Sequence, residues 1–113
     1  MGSFAVGDVL LVSFPFSNLT RQKLRPAVVI GMSDYQNVIL CQVTSKSGNG
    51  SASVAISSDD LDNAKVLPRL SYVRVNKIFT ADPELISKNL GRLNKKSRSR
   101  IHTELTKVFA ELA

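Results

Sequence analysis

The sequence predicts a mainly β fold of the α+β class: a partly closed, antiparallel barrel of SH3 or OB type with helices at its C-terminal end. Three observations predict it. Apolar runs of strand length, rich in valine and bounded by Gly, Pro, Asn and Asp, recur from Gly7 to Thr80. The turns between them are short, which favours antiparallel neighbours over crossover connections. After Ala81 the pattern changes to helix caps and to apolar residues spaced by three and four. The 113 residues suit one domain with a single core, spanning residues 1–113.

Each element follows from its residues. Residues 7–14, GDVLLVSF, are a dense apolar run behind a Gly-Asp turn and read as a strand buried on both faces. Residues 26–31, PAVVIG, form a second strand, which Pro26 opens because proline donates nothing to a ladder. SDYQN is a turn. Residues 38–45, VILCQVTS, form a third strand, with Val38, Leu40 and Gln42 on one face and Ile39, Cys41 and Val43 on the other. KSGNGS is a glycine-rich loop, ASVAIS a short strand and SDDLDNAKVLPR a polar irregular stretch. Residues 70–80 form a strand with one wetter face: Tyr72, Arg74 and Asn76 oppose Val73, Val75 and Lys77. That makes about five strands. Asp82 then caps a first helix, with Pro83 at its first position and Gly91 past its end. A second helix runs from about Lys95 to Leu112, with Ile101, Leu105, Val108, Phe109 and Leu112 in one apolar stripe.

Composition limits the function classes. No apolar run reaches the roughly 20 residues of a membrane span, and the N-terminus lacks the basic start and apolar region of a signal peptide. The single cysteine allows no internal disulfide. A cytoplasmic protein is expected. The net charge of +6 favours an acidic partner: RNA, DNA or an acidic protein segment. The charge is uneven. Lys88, Arg92, Lys95, Lys96, Arg98 and Arg100 have no acid between them, while acids gather at Asp59, Asp60 and Asp62. Arg21, Lys23 and Arg25 sit between the first two strands, and no carboxylate occurs from Phe14 to Ser33. That is the charge pattern of a loop that holds a polyanion.

GDVLLVSFPF, a polar loop, KLRPAVVI and VILCQVTS together resemble the MazF/PemK group of toxin–antitoxin ribonucleases. The likeness continues through the glycine-bearing loop, Ser71, VNKIFTAD and LISKNLGRL, over nearly the whole chain. It implies a MazF/PemK/CcdB-like barrel, a homodimer, and sequence-specific, metal-independent cleavage of single-stranded RNA with no cofactor. It also implies an antitoxin partner whose acidic segment covers the same groove. In such enzymes the Arg of Arg-Pro and the Thr ending the third strand are the catalytic pair, here Arg25 and Thr44. A planar guanidinium can hold two phosphate oxygens and so stabilise a phosphorane, and a threonine hydroxyl can donate to one. Phe16, Ser17, Asn18, Arg21 and Lys23 of the loop, Ser45 and Lys46 after the third strand, and Lys77 are the candidate RNA contacts. The family's loop usually carries a Gly and often an acid; SNLTRQK has neither.

Other features carry less. His102 is the only histidine, which excludes a histidine-pair nuclease within one subunit. Cys41 reads as a core thiol. DDLD lacks the glycine and terminal glutamate of a calcium loop and reads as a solvated turn; no metal site is expected. NKKSRSR is either an RNA-backbone patch or a solvated helix start. Two alternative functions stand beside the ribonuclease: a protein-targeting toxin like the gyrase poisons of related fold, and a binding module without catalysis.

Overall fold

The computed structural model describes residues 4–15, 22–46, 52–62, 67 and 70–113. Its strands are β1 (Asp8–Pro15), β2 (Gln22–Met32), β3 (Val38–Thr44), β4 (Ser53–Ile56), β5 (Ser71–Ala81) and β6 (Ile86–Arg92). They form one sheet in the order β4-β5-β3-β2-β1-β6, antiparallel at every pair. Helix α1 (Lys95–Val108) follows and runs out in a 3-10 turn, Ala110–Leu112.

The sheet carries apolar layers on both faces, which is why β1 reads as a dense apolar run. Leu10, Val12, Ala27, Val29, Val38 and Leu40 form the inner layer, joined by Phe14, Phe79, Ala81 and Ile86. Phe14 of β1 and Phe79 of β5 have two strands between them in the sheet, yet their rings meet at 4.9 Å. The sheet therefore curls into a barrel wall around this layer. Val9, Val28, Cys41, Val43, Val73 and Val75 form the outer layer, under Ile101 of α1 and Leu93. Cys41 is fully buried there, and burial pushes its thiol up to about 11.

Among the described residues the strand count is six, not about five, because the first expected helix is absent. Asp82 does cap a helical turn at Pro83–Leu85, its Oδ1 accepting the Glu84 N–H at 2.9 Å. The turn stops there, and Ile86–Arg92 pairs with the open edge of β1. Ile86 and Leu90, four apart, look helical in sequence. Irregularities in the β1–β6 register let Ile86 join the inner layer and Leu90 the outer one. Pro26 also differs from expectation: it lies inside β2, opposite Leu11 of β1. Pairing with β3 begins only at Ala27, so at Pro26 the strand has a ladder on one side only.

β5 alternates as expected up to Val75. Gln42 then pairs with Arg74 while the adjacent Cys41 pairs with Ile78, which leaves Val75, Asn76 and Lys77 without partners in β3. This bulge brings Lys77 out to solvent instead of keeping it on the face of Val73 and Val75. The stripe on α1 is only half used. Ile101 is buried and Leu105 packs on the core, but Val108, Phe109 and Leu112 are 40%, 46% and 85% exposed.

Two devices seat α1. Gly7, at φ +98°, leaves room for the Arg98 stem; a Cβ there would come within 2.5 Å of Arg98 Cδ. Arg98 then donates to the Leu93 carbonyl at 2.7 Å. The second device is Asp60, which is a structural node and not the solvated turn expected from DDLD. It accepts from the buried Ser97 Oγ at 2.7 Å and from the Ser57 N–H at 2.8 Å, and it pairs with Arg100 at 3.8 Å. Burial pushes the carboxyl up, but these hydrogen bonds and the guanidinium outweigh it and hold Asp60 below the ordinary carboxylate value. The basic run is divided accordingly. Arg92 pairs with Asp8, Arg98 and Arg100 tie the helix to the sheet, and Lys88, Lys95 and Lys96 are exposed.

Candidate active site

The candidate site lies where β2 and β3 cease to pair. Ala27 opposes Gln42 in the last β2–β3 pair, and Arg25 and Thr44 each lie two residues beyond it. No pair forms beyond Ala27, because the next residue, Pro26, has no N–H to give. Around these unpaired ends is a groove of about 480 Å³. β2 lines it with Lys23, Leu24, Arg25 and Pro26, and β3 and its turn with Val43, Thr44, Ser45 and Lys46. Leu11, Leu67, Ser71 and Leu90 complete the lining.

The arrangement has an electrostatic direction. Lys23, Arg25 and Lys46 border the groove and are exposed. The ion pairs among the described residues are Arg92–Asp8, Arg100–Asp60 and Lys107–Glu104, so none of these three cations is neutralised by a described carboxylate. Thr44 is half-buried, and its Oγ1 accepts the Lys46 N–H at 3.2 Å. That bond occupies an acceptor position and fixes the oxygen, so the hydroxyl proton is free to be donated. A trigonal-bipyramidal phosphate needs this kind of setting: one bidentate cation, one hydroxyl donor, and flanking positive charge.

Of the residues expected from sequence, Arg25, Thr44, Lys23, Ser45 and Lys46 are brought together in this groove. Lys77 is not among its lining residues; it stands exposed on the β5 bulge. Phe16, Ser17, Asn18 and Arg21 lie outside the described residues. His102 is exposed on α1, beside a separate cavity of about 80 Å³ between the helix and β2. No three His, Cys, Asp or Glu side chains are grouped for a metal ion among the described residues. The apolar lining was not anticipated. Leu67 sits in a polar stretch with no periodicity, and Leu90 falls in the segment that reads as a helix.

Residues 5–109 match the family described as the PemK-like, MazF-like toxin of type II toxin–antitoxin systems. The chain belongs to this toxin family. No curated protein sequence matches it. Its fold is that of several solved PemK/MazF-type structures. A MazE–MazF complex from Deinococcus radiodurans superposes with a TM-score of 0.76 at 15% identity, covering 96% of this chain and 98% of that one. An endoribonuclease from a mycobacterial species gives 0.73 at 17%, with coverages of 97% and 94%. An endoribonuclease in complex with its cognate antitoxin, also mycobacterial, gives 0.70 at 17%, with 93% of each chain covered. At these identities the likeness is one of fold. The six-stranded toxin sheet with one C-terminal helix, left open between β4 and β6 among the described residues, is therefore a PemK/MazF-type sheet.

Proposed function

We propose that this toxin is a sequence-specific endoribonuclease that cuts single-stranded RNA without a metal, by attack of a ribose 2′-OH on the adjacent phosphate. The observation that carries the reading is the pairing of an exposed, un-neutralised Arg25 with an anchored Thr44 hydroxyl in one cation-bordered groove. The fold shared with endoribonucleases supports it.

The reaction is an internal transfer. The 2′-oxygen forms a bond to phosphorus as the bond to the 5′-oxygen breaks. The 2′-hydroxyl gives up a proton and the 5′-oxygen gains one, leaving a 2′,3′-cyclic phosphate and a 5′-hydroxyl. Charge grows on the non-bridging oxygens in between. Arg25 binds two of these oxygens through its fork, and Thr44 donates to one. Thr44→Val keeps the shape and removes the donor, so single-turnover cleavage should slow by about 100-fold. Thr44→Ser should retain most of the rate. A Thr44→Val variant that cuts at the wild-type rate would mean that the donor does not matter.

Incubating the protein with a long RNA in EDTA tests the whole reading. Discrete cuts are expected; intact RNA would remove it. Affinity should also fall with salt. With Lys23, Arg25 and Lys46 on the backbone, a slope of about −2 in log affinity against log salt is expected from the roughly 0.7 per contact of single strands. A flat response would contradict a backbone-tracking groove.

The same reading includes a cytoplasmic homodimer, inhibited by an antitoxin whose acidic segment covers the groove. The toxin's +6 charge and its un-neutralised groove cations suit such a segment. The exposed apolar end of α1, at Val108, Phe109 and Leu112, supports a second copy packed there. Light scattering should report two chains per particle; one chain would remove the dimer. No helix among the described residues is long and apolar enough to cross a membrane.

A further inference from the structure

We propose that Asn89 is a positioning residue: its side-chain amide holds the β-bulge that turns Leu90 of β6 into the groove wall. The proposal rests on the ribonuclease reading, because RNA turnover is what reports the position of that wall.

The bulge is a matter of register. Asp8 pairs with Arg92 and Val9 with Gly91, but Leu10 then pairs with Asn89 and Leu11 with Lys88. Leu90 is the extra residue, without a partner in β1, and it packs on the outer core layer. A regular ladder continued from the Asp8–Arg92 pair would set Leu90 against Leu10, which belongs to the inner layer, and Asn89 against Leu11. Leu11 lines the groove. The regular register would therefore bring a polar amide beside it, where the bulge brings Leu90.

Asparagine is a poor strand residue, and Asn89 is exposed, so packing does not account for it. Its side chain makes two bonds that do. Oδ1 accepts the Gly91 N–H at 2.9 Å, reaching across the extra residue. Nδ2 donates to Asp8 Oδ2 at 3.2 Å. Asp8 is itself held: it is 7% exposed, its Oδ2 also accepts the Ala5 N–H at 2.9 Å, and its Oδ1 faces Arg92 Nε at 3.6 Å. The amide thus ties both sides of the bulge to a buried carboxylate on β1. Gly91 meets the remaining need, a φ of +140° that side chains rarely adopt. None of these bonds involves Arg25 or Thr44, which stand on β2 and β3. Releasing the amide should therefore shift the wall and leave the phosphate donors in place. Substrate capture suffers, and the chemical step does not.

The test is steady-state cleavage of an RNA oligonucleotide that carries a mapped cut site, well below the unfolding temperature of every variant. Asn89→Ala should raise KM about 10-fold, the size of one apolar contact withdrawn, with kcat nearly unchanged. Leu90→Ala should raise KM by a similar factor. The double variant should be no worse than Leu90→Ala alone, because Asn89 acts through Leu90. Asp8→Asn combined with Asn89→Asp reverses donor and acceptor, and should recover most of the wild-type KM. That exchange decides the matter if Leu90→Ala does not fold.

An Asn89→Ala protein that melts earlier but keeps the wild-type KM would overturn the proposal and leave the amide a structural tie, while the ribonuclease reading stands. KM increases that multiply in the double variant would also overturn it, since Asn89 would then act elsewhere than through Leu90. An exchange variant no better than Asn89→Ala would remove the bond to Asp8 from the account. If the wild-type protein cuts no RNA, the ribonuclease reading falls and the positioning role with it.

Discussion

Arg25→Ala should lower the single-turnover cleavage rate by at least 100- to 1,000-fold, about the loss seen when one transition-state donor is removed. It should leave thermal unfolding nearly unchanged. The separation follows from where the side chain sits. Arg25 is exposed on β2, in none of the ion pairs among the described residues, and beyond the last β2–β3 pair. Truncating it breaks no ion pair among the described residues, so stability has little to lose. The substrate phosphate loses a bidentate partner at the moment its charge is greatest. Arg25→Lys keeps the charge and loses the fork, so it should recover ground-state binding far better than rate. A variant without the arginine that cuts at the wild-type rate would take Arg25 out of the chemistry.

Asp60→Ala should have the opposite signature, a loss of about 2–3 kcal/mol in stability with no direct effect on the groove. The carboxylate accepts from Ser97 Oγ, which is fully buried at the first turn of α1, and from the Ser57 backbone. Removing it leaves the Ser97 hydroxyl without its partner, Arg100 without its counter-ion, and the start of α1 loosely held. Against a typical total of about 5–15 kcal/mol, that is a large fraction. The effect should also depend on pH. The folded state holds Asp60 below its ordinary value, so it binds this proton less readily than the unfolded chain does. The stabilisation from its charge is then complete at neutral pH. It is lost as the pH falls through the lowered folded value, beneath the ordinary carboxylate range. Denaturant melts of wild type and variant should therefore differ most near neutrality and converge in strong acid. A constant gap across that range would mean that the carboxylate charge contributes nothing.

The elements legible in the sequence are those whose signals are local. β1 and β3 are dense valine-bearing runs between turn residues, and each is where its pattern puts it. α1 begins at Lys95, behind the Asn94 cap, which accepts the Ser97 N–H at 2.9 Å. The errors come where a distant partner decides. Asp82 and Pro83 start a helical turn as their chemistry dictates, but β1 presents an open edge, and Ile86–Arg92 completes the sheet against it. Lys77 shares its parity with Val73 and Val75, and only the register with β3 reveals the bulge that exposes it. The candidate site was legible in the same uneven way. Arg-Pro and the strand-ending threonine stood out through their resemblance to a family. That Arg25 and Thr44 line one groove depends on where the β2–β3 pairing ends, and no spacing in the sequence states it. The apolar lining was invisible, because Leu11, Leu67 and Leu90 come from three separate parts of the chain: a strand, a polar irregular stretch and a segment that reads as a helix. Asp60 was misread for a related reason: its partner Ser97 lies 37 residues away.

On the proposed reading, the RNA cuts itself while the toxin holds the phosphate. The most direct measurement places a single 2′-deoxynucleotide at the residue immediately 5′ to a mapped cut, in an RNA otherwise unchanged. Cleavage at that site should stop while binding persists, and the unmodified RNA should yield 2′,3′-cyclic phosphate and 5′-hydroxyl ends. Continued cutting at the deoxy position, or ends bearing a 5′-phosphate, would contradict it.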